Sequence, residues 1–283
     1  MQISHKAPFN DGYTLLVPRS GVTAEMLTDL GVIKLSPDTQ WEHASETDEQ
    51  CLLLAAGSAT LTWTVQGALG GPQKAEISRP NLFDYSPWCL SIPAHGKITI
   101  DAGKGGAEFY YAATVNPKRF EAKLFTPEEC MSEMRGAGTM RETSTRIVRT
   151  IFDDTNRPQS NLVIGEVIGV PGKWSSYPCH HHPQPEIYHY RFLPSNGFGL
   201  TTIGEKPYLI RDKDTILIRE GEVHPQVTAP GYAMWYLWVI RHLDGAHYGP
   251  ETNTPIFVDE HKWVMESQDK IWQPDTTKNK EKA

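Results

Sequence analysis

The chain is poor in cysteine: Cys51, Cys89, Cys130 and Cys179 are scattered through 283 residues, with no CxxC pair. In a chain of this length that is no disulfide framework, and it fits a reducing compartment. Long apolar runs are missing too. No window approaches the ~20 apolar residues of a membrane span, and the first 21 residues hold nothing of signal-peptide type. A basic excess is also absent: Lys and Arg number 27 against 34 Asp and Glu, a formal net charge of −7. That balance excludes a general attraction for nucleic acid or anionic membrane. The expectation is a soluble, cytoplasmic protein. An anionic substrate would need a local cluster of Arg or Lys, held against the overall field.

Turn residues, by contrast, are plentiful, with 23 Gly and 21 Pro. A hydrophobic fraction of 39% is enough to fill a core, and a charged fraction of 22% is too small for a disordered chain. The length allows one large domain or two ordinary ones. Strand-like runs dominate. Residues 51–65 are apolar, with a break at Gly57 and Ser58 that reads as a hairpin turn. Further runs cover 90–100, 107–115, 161–170, 186–192, 215–219 and 232–239, bounded by Gly, Pro and Asp. Short strands at close spacing imply an all-β sandwich or barrel. Between the two sets, Thr126, Pro127 and Glu129 have the spacing of a capping box and predict a short helix ending near Gly136 or Gly138.

Eight of the eleven histidines lie between His180 and His261. The densest stretch carries His180, His182 and Glu186 in an HxHxxxE pattern, and Gly221 leads a further His224. In an extended segment alternate residues share a face, so His180 and His182 point together. Three imidazoles and one carboxylate make a mixed N/O site suited to one divalent metal per chain: Zn, Mn, Fe, Ni or Co. By the same parity Tyr188 and Tyr190 share the face of Glu186, while His189 and Arg191 point away. His242, His247 and His261 lack partner spacing and default to structural or surface roles.

HxHxxxE followed some forty residues on by a Gly-led His resembles the paired motifs of the cupin superfamily. The resemblance implies a jelly-roll barrel with the metal in its mouth, and two strand-rich halves then imply an all-β bicupin. Aligning the halves sets His43 opposite His180, Ser45 opposite His182, Glu49 opposite Glu186 and Thr99 opposite His224. The first half would thus keep two of four ligand types and be structural. The expected organisation is an N-terminal cupin with a degenerate metal site (1–120) and a connecting segment with a short helix (121–145). A C-terminal cupin with the metal site (146–272) and a polar tail (273–283) follow.

Further blocks narrow the family: RGAG at 135–138, GKWSSYP at 172–178, EIYHYRF at 186–192, GFG at 197–199, APGY at 229–232 and YLWV at 236–239. In this order they closely resemble the 5-deoxy-glucuronate isomerases of inositol catabolism, relatives of the 5-keto-4-deoxyuronate isomerases of pectin breakdown. One departure is the linker between the HxH pair and the Glu, here Pro183, Gln184 and Pro185, which is shorter than the family's.

The resemblance implies metal ligation by His180, His182, Glu186 and His224, and an aldose–ketose interconversion giving 2-deoxy-5-keto-gluconate. Such chemistry moves a proton between neighbouring carbons, with Glu186, Tyr188 and Tyr190 as candidate catalytic residues. A uronate carboxylate calls for a cationic clamp, for which Arg219 and Lys173 lie near the motifs. Trp174, Tyr177, Trp235 and Trp238 are candidates for lining a sugar pocket. The expected partner is a small-molecule sugar acid, with no nucleic acid and no membrane; a homo-oligomer stays open. Two other classes compete: a metal-dependent cupin oxygenase and a non-enzymatic sugar-acid-binding cupin.

Overall fold

A computed structural model of the chain describes residues 1–69 and 71–275. Of the expected polar tail, residues 276–283 lie outside the described residues. The protein is mostly β. Its first half contains β2 (Gly12–Val17), β3 (Asp29–Leu35), β4 (Gln40–Ser45), β5 (Asp48–Val65), β6 (Gln73–Arg79), β7 (Cys89–Ile92), β8 (Gly96–Val115) and β9 (Lys123–Phe125). These make one eight-stranded sheet system, in which β8 lies between β3 and β5.

The second half places β10 (Met131–Arg135), β11 (Arg146–Phe152) and β12 (Leu162–Gly169) in a seven-stranded sheet. The same sheet takes in β15 (Glu186–Leu193), β18 (Asp214–Ile218) and β20 (Ala233–Arg241). Its seventh strand is β1 (Gln2–Ser4), which crosses from the chain start to pair with β18. Facing it is a four-stranded sheet of β13 (Trp174–Ser175), β16 (Phe198–Ile203), β17 (Lys206–Arg211) and β19 (Gln226–Thr228). A small ladder joins β14 (His180–His181) to β21 (Ile256–Phe257). One helix, α1 (Asp259–Glu266), follows.

Three apolar layers follow from strand parity. Inside the first half, Leu52, Leu54, Ile98, Ile100, Phe109 and Tyr111 pack together. Inside the second half, Tyr188, Tyr190, Phe192, Met234, Tyr236 and Ile216 do the same. Between the halves lies a shared seam of Cys51, Leu53, Tyr110, Ile187, Trp235, Leu237 and Val239. Along β15 and β20, alternate residues thus serve the inner core and the seam in turn.

Three expectations need correction. The break at Gly57 and Ser58 is no hairpin: β5 runs straight through it, paired with β8 on both sides, with register shifts there. Gly57 sits at φ +94, and a Cβ there would meet the Gly106 carbonyl oxygen at 2.2 Å. The shift flips the parity of β5, so Leu52 and Leu54 before it and Leu61 and Trp63 after it share one core. Secondly, the connecting helix does not form. Thr126 N–H does donate to the Glu129 carboxylate at 3.0 Å, but the segment is a turn leading into β10. Pairing of β10 with β11 outweighs the local helix signal. The sheets accordingly change hands between Phe125 and Met131 rather than across 121–145, and β1 belongs with the second half.

Thirdly, the alignment of the halves is out of step. Glu49 faces the seam, where its carboxylate accepts from Asn116, Ser160 and the Asn161 N–H. Burial pushes that carboxyl up, against these hydrogen bonds. Ile98 and Ile100 face the inner core, so Thr99 between them faces away. His43 is exposed, edge-on to Tyr111. The aligned residues therefore do not converge on a common point.

A second buried carboxylate ties the halves together. Glu166 of β12 accepts from Arg79 of β6 at 2.6 Å, from Arg149 of β11 at 2.7 Å and from the Trp235 indole at 3.0 Å. Most of the arginines' remaining N–H groups reach the carbonyls of Leu54, Leu82, Phe83 and Tyr85, while Arg149 Nε has no partner among the described residues. Removing one partner of such a group leaves uncompensated buried charge, at a cost of about 3–5 kcal/mol. Glu166→Gln is expected to lose about that much stability in urea unfolding monitored by tryptophan fluorescence.

Candidate metal centre

Glu186 begins β15, flanked by β18 and β20 through Ile218 and Ile240, which sets its side chain on the inner face. His180 is held by pairing with Phe257 across the small ladder, and His182 follows it out of the strand. His224 comes from the turn after β18. That turn needs Gly221 at φ +73, and the Gly221 N–H donates to the His182 carbonyl at 3.0 Å. The glycine thereby ties the segment of His224 to the segment of His182.

His182, Glu186 and His224 converge, each buried, with ligand atoms within 4.8 Å of one another. Nε2 of His182 and of His224 lie 3.1 Å and 3.2 Å from the same Glu186 oxygen, Oε2. His180 stands beside this trio, its ring centroid 4.8 Å from that of His224. Burial, followed by the neighbouring His224, holds the His180 imidazole down to about 3, so it is neutral at ordinary pH.

The other ring nitrogens test whether a cation fits. Nδ1 of His182 meets the Gln184 carbonyl at 2.9 Å, Nδ1 of His224 the Glu222 carbonyl at 2.7 Å, and Nδ1 of His180 the Pro178 carbonyl at 3.3 Å. A carbonyl only accepts, so each Nδ1 carries hydrogen, and the neutral form of each ring turns its Nε2 lone pair elsewhere. For His182 and His224 that lone pair faces a carboxylate oxygen. His224 Nε2 is buried with no hydrogen-bond partner among the described residues. Buried lone pairs set against a carboxylate fit a bound divalent cation, which all of them would ligate.

The site opens on a cavity of about 330 Å³, within the roughly 300–1,000 Å³ typical of small-molecule sites. Tyr188 lines it, its hydroxyl 3.2 Å from Ser176 Oγ. Burial raises the Tyr188 phenol well above its ordinary value, so it stays protonated. Tyr236 lines it with its hydroxyl 2.6 Å from Ser175. Glu186 is the single carboxylate in the lining, and its Oε1 has no hydrogen-bond partner among the described residues.

Other expected site residues lie elsewhere. Tyr190 faces the inner core but donates its hydroxyl to Gln226 at 2.7 Å and does not reach the cavity wall. Arg219 is on the surface, ion-paired to Glu25. Lys173 is absent from the lining, and Trp174 is an exposed ring packed at 5.6 Å on Tyr177. Trp235 is buried in the seam, whereas Tyr177 and Trp238 do line the cavity. Sequence reasoning missed three lining residues: Arg135, Arg146 and Tyr248. Tyr248 comes from a loop with no periodic signal and sets its ring 5.0 Å from His182. Arg146 was detectable as a cation at an inward position of an apolar strand.

A second group, Asp154, His242 and His247, also brings ligand atoms together. Its two rings are stacked parallel at 4.3 Å, and His247 is bound to Asp154 at 2.8 Å. His242 Nδ1 accepts the Tyr248 N–H at 2.9 Å, which anchors the Tyr248 loop. Stacked rings cannot both aim an in-plane lone pair at one ion, so this cluster is a brace.

These features define the class: a mostly β, cupin-like protein with a buried His–Glu centre at the base of a cavity. A family model described as the KduI/IolB family matches residues 3–264, and the chain belongs to that family. Among curated relatives, the 5-deoxy-glucuronate isomerase of Geobacillus thermodenitrificans is 30% identical over 244 residues, covering 78% of this chain and 80% of the relative. The 5-deoxy-glucuronate isomerase of Geobacillus kaustophilus is 26% identical over 242 residues, covering 79% and 80%. Among solved structures, an IolB-like protein from Salmonella typhimurium superposes with a TM-score of 0.74 at 20% identity, covering 93% of this chain and 98% of its own. An oxalate decarboxylase structure reaches 0.66 at 14% identity, covering 100% of this chain and 87% of its own. At these identities the two structures speak for the fold.

Since its hydroxyl serves Gln226, Tyr190→Phe is expected to leave that buried amide oxygen unpaired and cost about 1–3 kcal/mol. Chemical denaturation measures the loss, and turnover per folded molecule should stay within about twofold.

Proposed function

We propose that this protein is a metal-dependent aldose–ketose isomerase that converts 5-deoxy-glucuronate to 2-deoxy-5-keto-gluconate. The observation that carries the metal is the pair of imidazole Nε2 atoms turned on one Glu186 oxygen, with every Nδ1 committed to a backbone carbonyl. The names of the curated relatives supply the reaction. We read the two sheet systems as two jelly-roll barrels, a bicupin whose second barrel holds the site and whose first is structural.

His180, His182, Glu186 and His224 would hold the cation. When bound, it would stabilise negative charge on the oxygens of an α-hydroxy carbonyl. The chain's own groups do the rest. Glu186 Oε1 is the carboxylate oxygen free to take a proton from the carbon beside the carbonyl and return it to the neighbouring carbon. Tyr188, kept protonated by burial, donates a hydrogen bond to a substrate oxygen. Tyr248, whose phenol burial also raises, offers a second donor beside His182. Trp238 and Val167 give the cavity an apolar wall that limits water.

Purified protein is expected to carry about one divalent metal per chain by elemental analysis. His182→Ala should lower that to below about a tenth and remove turnover of 5-deoxy-glucuronate followed by NMR. Unchanged metal content in the variant would overturn the site. Oxygen uptake matching turnover would convert the reading to an oxygenase, and binding of the sugar acid without turnover would make the protein a binding module.

A further inference from the structure

Arg146 is a buried cation with no ion-pair partner among the described residues. It lies on β11 with Val148 on the cavity face, while Arg149 on the opposite face meets Glu166. Its guanidinium makes two hydrogen bonds, both from Nη1 to Ser144, at 2.7 Å to the carbonyl and 3.0 Å to the hydroxyl. Nε and Nη2 have no partner among the described residues, and neither is sealed away from the cavity. The other arginines inside the fold have acid or carbonyl partners, though Arg149 Nε has none among the described residues. Arg79 and Arg149 share Glu166, Arg191 pairs with Glu108 and Asp212, and Arg157 gives its N–H groups to Ser91 and the Glu121 carbonyl. Burial lowers the Arg146 pKa from its ordinary value, the mark of a charge held at a cost.

A second, independent observation points the same way. Arg135 of β10 stands directly opposite Arg146 in the β10–β11 register, and both line the cavity. Like charges directly opposite on paired strands repel. Arg135 is half-exposed and paired to Glu133 at the rim, whereas Arg146 is inside. An anion seated between the two guanidinium groups would turn that repulsion into a clamp, and guanidinium geometry matches a carboxylate through two parallel N–H bonds.

We propose that Arg146, assisted at the rim by Arg135, is the anchor for the substrate's carboxylate and sets the preference of this site for sugar acids over neutral sugars. The assignment rests on the isomerase reading for its substrate class. It replaces Arg219 and Lys173 in that role. Bound this way, a sugar acid has its carboxylate on β10 and β11 and its carbonyl end toward His182 and Glu186, so the anchor also fixes which carbon faces Glu186.

The test uses the full-length, metal-loaded protein. Kinetics with 5-deoxy-glucuronate should show KM raised at least about thirtyfold in Arg146→Met and several-fold in Arg135→Met, with metal content unchanged in both. Arg146→Lys should recover part of the loss. Calorimetry on the parent protein should show glucuronate binding at least about tenfold tighter than glucuronamide, its uncharged analogue. Unchanged KM in a metal-loaded Arg146→Met would overturn the anchor and leave the isomerase reading standing. If the parent turns over no sugar acid yet prefers glucuronate to glucuronamide through Arg146, the anchor stands and the reaction reading falls. Should Arg146→Met fail to fold, the glucuronate–glucuronamide comparison decides, and equal affinity or no binding of either overturns the proposal. Glucose 6-phosphate binding more tightly than glucuronate through Arg146 would overturn the carboxylate in favour of phosphate.

Discussion

The two halves meet on the buried carboxylate of Glu166. Arg79 reaches it from the first half, and Arg149 and Trp235 from the second. Charged groups this deep persist when each is matched, and here the spare N–H groups find carbonyls on the loop between β6 and β7. The consequence extends beyond the seam because strands alternate. Fixing Glu166, Arg149 and Trp235 on one face of β12, β11 and β20 fixes Val167, Arg146 and Tyr236 on the other, and those three line the cavity.

The centre itself works by committing protons in advance. Carbonyls of Pro178, Gln184 and Glu222 take the Nδ1 hydrogens, so the Nε2 lone pairs are left to converge near Glu186. All three of those carbonyls lie two residues from the histidine they orient, so the local backbone path selects the tautomer. The cavity then arranges its remaining charge at a distance from the imidazoles, on Arg146 and Arg135. A chain with a net charge of −7 thus concentrates positive charge, without an ion-pair partner on Arg146 among the described residues, where an anion can reach it.

Much of this was legible one residue at a time. The strand alternation of 186–192 correctly set Glu186 and Tyr188 on one face and His189 on the other, where it packs against Tyr110 in the seam. The HxHxxxE spacing and the Gly-led His marked the centre, because ligand spacing and turn chemistry are local. Failures came where local signals met long-range pairing. Thr126 and Glu129 make their capping contact and still form a turn, since β10 is claimed by β11. Gly57 looked like a turn because glycine with positive φ serves hairpins and bulges alike. Glu49 aligned with Glu186 by local likeness, but it shares the seam face of Cys51 and Leu53, and which face of a strand meets the seam is set by packing between the halves.

The sequence by itself determined a turn-rich β protein, the histidine–carboxylate constellation and the family to which it belongs, since all three reside in spacing along the chain. The tertiary structure decided which cation faces the site. Arg219 and Lys173 are near the motifs in sequence but outside the cavity lining, while Arg135 and Arg146 reach the cavity from strands far earlier in the chain. Cavity walls are assembled across sheets, so a residue's neighbours there are set by strand order and pleat. Sequence distance carries neither.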